Sequence, residues 1–108
     1  MSFIRLWVDD QRQPPSDYNA HAKTFEEAMA YLKSGRVSVI SLDHDLGEEK
    51  TGYDIAKWIE EKAFHGEIRP IIWFVHAANP PGAQLIRLAM SKADEYWGRN
   101  RETGKVEI

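Results

Sequence analysis

Three short apolar runs, residues 3–8, 37–42 and 71–75, each end where polar chemistry begins. Asp9-Asp10 follows the first, Asp43-His44-Asp45 the second and His76 the third. The runs are rich in Val, Ile, Phe and Trp and too short for stable helices, so they read as strands. Their hydrophobicity is nearly continuous rather than alternating, which indicates burial on both faces and predicts a parallel sheet with helices above and below.

The segments between the strands carry helical signals. Thr24-Phe25-Glu26-Glu27 is a capping box, in which the Thr hydroxyl and the Glu27 carboxylate satisfy amides of a first turn. Phe25, Ala28, Met29 and Leu32 then form one stripe at helical spacing, and Gly35 suits the left-handed position that ends a helix near Ser34. A second helix is predicted over residues 53–64, with Ile55, Trp58, Ile59 and Ala63 inward and Gly66 just beyond it. A third begins after Asn79-Pro80-Pro81, since proline suits a first turn whose amides lack partners; Leu85, Leu88, Ala89, Ala93 and Tyr96 are its predicted inner face and Gly98 its stop. Residues 19–23 are a candidate for a further short strand, which leaves residues 11–18, with two prolines, as a loop where a helix would otherwise sit. Residues 106–108 are a candidate edge strand. Strand and helix thus alternate over 108 residues, without repeat or linker, as one α/β domain with a parallel sheet of four to five strands.

Composition excludes more than it selects. No cysteine is present, so disulfides, thiolate metal sites and cysteine nucleophiles are ruled out. A formal net charge of -3 gives no overall pull toward nucleic acid or anionic lipid. No apolar run approaches the roughly 20 residues that span a bilayer. The acidic pair at residues 9–10 comes too early for a signal peptide, so a cytoplasmic location is expected.

Crossovers in a parallel α/β sheet bring every strand's C-terminal end to one edge, where ligands bind at the point of reversed strand order. Asp9, Asp10, Asp43, Asp45 and His76 are therefore expected to converge. Like charges about 4 Å apart repel by roughly 4 kcal/mol at an effective dielectric of 20. A hard divalent cation with oxygen ligands relieves this directly, and a site of few carboxylates suits Mg²⁺, or Mn²⁺, on Asp9, Asp10 and Asp43. Gly47 and Gly52 read as loop backbone, since no glycine-rich phosphate signature is present. The four tryptophans read as core or its margin, and His21 and His65 receive no role.

Asp9-Asp10-Gln11-Arg12 with Pro14 and Pro15, Ile40-Ser41-Leu42-Asp43-His44-Asp45-Leu46-Gly47, Thr51-Gly52-Tyr53-Asp54 and His76-Ala77-Ala78-Asn79-Pro80 together resemble the cyclic-phosphate-processing receiver domains. The resemblance implies a flavodoxin-like, receiver-like fold and action on a cyclic phosphate, at an RNA end or in a cyclic nucleotide. It departs from a signalling receiver in three ways: His76 stands where such a receiver carries Ser or Thr, no fifth strand bearing Lys is evident, and the short spacing from Asp9 to Asp43 implies that the first receiver helix is reduced to a loop.

A metal-dependent phosphoesterase is the leading expectation. Alternate side chains on extended backbone share a face, so Asp43 and Asp45 can both address a ligand, one as nucleophile or metal ligand and one as acid/base. His76 is expected to protonate a leaving oxygen or orient water, while Arg12, His44 and Asn79 are expected to bind the substrate. The expected partner is a phosphate-bearing small molecule or RNA end, with no membrane. The alternatives are an atypical receiver phosphorylated on Asp43 and a noncatalytic nucleotide-binding protein.

Overall fold

The structure is a computed structural model and describes residues 3–102. Strands β1 (Ile4–Val8), β2 (Ala20–Ala22), β3 (Val37–Leu42) and β4 (Ile72–Val75) form one sheet in the order β2-β1-β3-β4, with every neighbouring pair parallel. Helices α1 (Phe25–Lys33) and α2 (Gly52–Phe64) make the crossovers, and α3 (Pro80–Glu102) follows β4. The chain passes from β1 to β2 without a helix, through the proline-bearing loop expected there. The short strand expected over residues 19–23 is present as β2, and the expected edge strand over residues 106–108 lies outside the described residues.

Local sequence fixes the helix ends. The Thr24 hydroxyl accepts the Glu27 amide at 3.1 Å and opens α1. Thr51 opens α2 with a complete capping box: its own amide donates to Asp54 Oδ2 at 2.8 Å, and its hydroxyl accepts the Tyr53 amide. Gly35 and Gly66 stand at φ +76° and +70° just past α1 and α2, the left-handed positions that glycine takes at least cost.

The core lies between the sheet and the helices. Leu6, Val8, Ile40 and Leu42 point from the two central strands toward Ala28 and Leu32 of α1, Ile55 and Ile59 of α2, and Ile86 and Met90 of α3. Helices were expected on both faces of the sheet. Both crossovers step in the same direction across it, and right-handed connections in one direction land on one face. With α3 packed along α2, the three helices share that face. On the other, the loop after β1 covers Trp7, while Ile72 and Phe74 of β4 remain 63% and 54% exposed.

Helix α3 departs from its expected phase and length. Its buried stripe is Ala83, Ile86, Ala89, Met90, Ala93 and Trp97, whereas Leu85 and Leu88 face solvent and Tyr96 is half-buried. Ile86 and Met90 pair with Trp97 to bury a continuous side at i, i+4 and i+11, and the two leucines fall just outside it. The helix also continues through Gly98 to Glu102; one glycine in a helix costs only about 1 kcal/mol relative to alanine. In α2, Trp58 is half-buried and Ala56 joins Ile55, Ile59 and Ala63 inside. None of the helices among the described residues is long and apolar enough to cross a membrane.

Candidate metal and phosphate site

The sheet ladder continues one residue past each strand and so fixes the site's floor. The Asp43 amide donates to Val8 O and the His76 amide to Leu42 O, each at 3.0 Å, and the Asp9 amide donates to Ala22 O. Asp9, Asp43 and His76 are thereby held side by side at the C-terminal edge. Carboxylate oxygens of Asp9, Asp10 and Asp43 lie within 4.8 Å of one another. Opposite ligands of an octahedral Mg²⁺ stand about 4.2 Å apart, so a small contraction brings these oxygens to a shared hard cation. The donor set is all oxygen and fits Mg²⁺ or Mn²⁺.

Asp9 is the fixed member. It is 0% exposed, and its Oδ1 accepts the Gln11 and Arg12 amides at 2.8 and 2.9 Å. Its Oδ2 accepts from His76 Nε2 at 3.0 Å, with Arg12 Nε 3.6 Å away. Burial by itself raises this carboxyl, but the two amides and His76 together hold it below the ordinary aspartate value. Asp43 behaves oppositely: burial, joined by the Asp9 charge, raises it against the pull of the His44 amide. One carboxylate is thus held ionised beside another that resists ionisation.

These residues line an open cleft of about 450 Å³ with Gln11, Arg12, Asp45, Gly47 and Ala78. Arg12 and Asp45 therefore share the cleft with the three carboxylates. Asp45 is exposed and stands outside the close triad; its Oδ1 accepts from His44 Nδ1 at 2.9 Å, and the Asn79 amide also bonds it, which together hold its carboxyl low. Asn79 caps α3 as well, its Oδ1 accepting the Gly82 amide at 3.1 Å. The His44 ring turns away from the cleft lining and lies on Gly82, where an added Cβ would come within 2.4 Å of it. Expected together as substrate binders, Arg12, His44 and Asn79 are divided: Arg12 lines the cleft, and the other two hold Asp45.

His76 lies behind Asp9, and both its ring nitrogens are engaged. Nδ1 meets Ser41 Oγ at 2.7 Å, Nε2 meets Asp9, and the ring stacks on Trp7 at 3.8 Å between centroids. Burial lowers its basicity, outweighing the neighbouring Asp9 charge. Trp7, expected in the core or at its margin, is buried there, whereas Ser41 carried no expectation. Ser41 offered a signal, since a hydroxyl inside an apolar strand needs a buried partner, although Ser38 of the same strand offers the same one. His21, also without a role, reaches the Asp9 carbonyl oxygen through Nε2 at 2.7 Å.

The triad makes a direct prediction. Carboxylates 4.8 Å apart repel by roughly 3 kcal/mol at an effective dielectric of 20. Millimolar Mg²⁺ is therefore expected to raise the melting temperature, by up to about 2.7 kcal/mol of added stability at a hundredfold excess over its dissociation constant. Asp10→Asn should weaken that rise, yet melt higher than the unsubstituted protein in chelator because one repulsive charge is gone. Thermal melts of both proteins with Mg²⁺ and with chelator check this; an unchanged melt on adding Mg²⁺ contradicts the site.

Comparison with known proteins agrees with this architecture. The sequence profile of the family described as Cyclic-phosphate processing Receiver domain matches residues 4–92. No curated protein and no solved structure matches the chain.

Proposed function

The chain belongs to the cyclic-phosphate processing receiver domain family, and from that premise we propose that it is a metal-dependent phosphoesterase that opens a cyclic phosphate, at an RNA end or in a cyclic nucleotide. The observation that carries the reading is the meeting of Asp9, Asp10 and Asp43 oxygens within 4.8 Å in a cleft shared with Arg12 and Asp45.

In this reading Asp9, Asp10 and Asp43 hold the cation, which supplies Lewis-acid stabilisation of phosphoryl charge. Arg12, exposed at the rim, neutralises charge that develops on the phosphoryl oxygens. Asp45 takes the proton of the attacking water. The water oxygen bonds to phosphorus, one ring P–O bond breaks, and the proton taken by Asp45 passes through solvent to the freed oxygen, which leaves a phosphomonoester and Asp45 ionised again. His44 and Asn79 serve this step by directing the Asp45 carboxylate, because both spend a polar group on it. A candidate base needs geometry first, and Asp45 has a carboxylate in the cleft with one oxygen anchored.

The test is turnover of 2′,3′-cyclic-phosphate RNA ends and of cyclic nucleotides with Mg²⁺, beside Asp43→Asn and Asp45→Asn. Removing a general base typically costs about 10²–10⁴ in rate, so Asp45→Asn is expected to fall by at least about 10²-fold with Mg²⁺ binding retained, and Asp43→Asn to lose metal binding and turnover together. Acetyl phosphate separates the signalling alternative. One stable acyl phosphate per chain on Asp43, with no turnover of any cyclic phosphate, would identify an atypical receiver instead.

A further inference from the structure

We propose that Ser41, His76 and Trp7 form a positioning chain that fixes the direction of the Asp9 carboxylate and so sets how tightly the cleft holds a divalent cation. This rests on the metal reading above, and it replaces the proton-transfer role expected of His76.

The direction of the chain follows from its chemistry. Ionised Asp9 only accepts hydrogen bonds, so the His76 nitrogen 3.0 Å from Oδ2, Nε2, carries the ring proton. Nδ1 then presents a lone pair, and the Ser41 hydroxyl, 2.7 Å away, donates to it. Ser41 is 2% exposed in β3, and its register partner across to β1 is Trp7. The imidazole lies on the Trp7 indole with planes 7° apart. Trp7 is itself tied down, its Nε1 donating to Arg12 O at 3.1 Å. The ring is therefore pinned by one face and both nitrogens, and its remaining service is to hold Asp9 Oδ2. The other oxygen is held by the Gln11 and Arg12 amides, so the carboxylate has one defined orientation toward Asp10 and Asp43.

Hydrogen-bonding partners behind a metal ligand commonly alter metal affinity by about 10–100-fold when removed. Ser41→Ala deletes the donor to Nδ1 without touching the cleft, and Ser41→Thr restores a hydroxyl on a side chain suited to a strand. Mn²⁺ affinity, followed by its paramagnetic resonance signal, is expected to fall about tenfold or more in Ser41→Ala and to return toward the unsubstituted value in Ser41→Thr. Denaturation midpoints in chelator show that both proteins are folded when titrated. A loss of affinity in the folded alanine protein that threonine rescues reports positioning, which packing alone does not produce. Nitrogen-15 spectra of the unsubstituted protein give a second measurement that needs no variant, and the His76 proton is expected on Nε2. Ser41→Ala binding Mn²⁺ as tightly as the parent, or a His76 proton on Nδ1, overturns the positioning chain alone. A parent protein that binds neither Mn²⁺ nor Mg²⁺ overturns the metal reading, and the proposal falls with it.

Discussion

Asp9→Ala is expected to lose divalent-cation binding and to destabilise the metal-free fold by about 2–3 kcal/mol, while Asp9→Asn loses the cation with little change in stability. The two substitutions remove the same charge and differ in what they leave behind. Alanine strands the Gln11 and Arg12 amides and the His76 Nε2 proton at the floor of the cleft. Each buried donor without a partner costs about 1–3 kcal/mol, reduced where water can enter. Relief of repulsion with Asp10 and Asp43 offsets part of that sum, which is why the expected net is below three full penalties. Asparagine keeps an oxygen for the two amides. Its NH₂ can meet His76 once the ring proton moves to Nδ1 and Ser41 turns to accept it. Chemical denaturation in chelator, beside Mg²⁺ titration, reads both effects. Equal stability of the alanine and asparagine proteins would contradict the hydrogen-bonded account of Asp9.

The second large effect is expected at Gly52, the first residue of α2. A Cβ there would stand 1.8 Å from the Asp43 carbonyl oxygen and 2.9 Å from its carbon, with Ile86 Cδ1 at 3.2 Å. The two closest atoms are backbone and have no rotamer with which to yield. The Gly52 amide also donates to His44 O at 2.8 Å, so the helix start and the acidic turn are bound together. Overpacking typically costs about 1–3 kcal/mol and occasionally more. Gly52→Ala belongs at or above the top of that range, at about 3 kcal/mol, and is expected to displace Asp43 and abolish Mg²⁺ binding. Gly98 supplies the contrast. It lies in α3 with nothing within 4 Å of an added Cβ, so Gly98→Ala should stabilise by about 0.5–1 kcal/mol through helix propensity. Melting temperatures of the two variants measured together check the pair, and a Gly52→Ala protein as stable as its parent refutes the contact.

How far the sequence discloses this molecule depends on whether a feature is local. The strands, the cap at Thr24, and the glycines that follow α1 and α2 depend on neighbours in the chain, and all are legible. So is the gathering of Asp9, Asp10 and Asp43, since it needs only parallel strands with common ends. The phase of α3 is not legible, because Leu85 and Ile86 are both apolar and only the shape of α2 and the sheet selects Ile86. The distribution of helices over the faces depends on strand order, which no single segment encodes. The histidines show the same limit at finer scale. His44 and His76 are visible as site-edge residues, but their partners Asp45, Ser41 and Trp7 are chosen by rotamer and register. Close approaches such as Gly52 to Asp43 leave in sequence only the glycine itself.

The carboxylates of the triad come from two segments far apart in the chain, residues 9–10 and residue 43. In an unfolded chain a separation of that length averages roughly 30 Å, several times the screening distance of about 8–10 Å at physiological salt. The repulsion between the segments is therefore almost absent before folding and is created when β1 registers against β3. Burial of Leu6, Val8, Ile40 and Leu42 performs that electrical work, pressing the charges together as the strands close. Any cation that enters the cleft recovers work that the apolar core has already done, so the strength of the core and the affinity of the cleft draw on one reservoir.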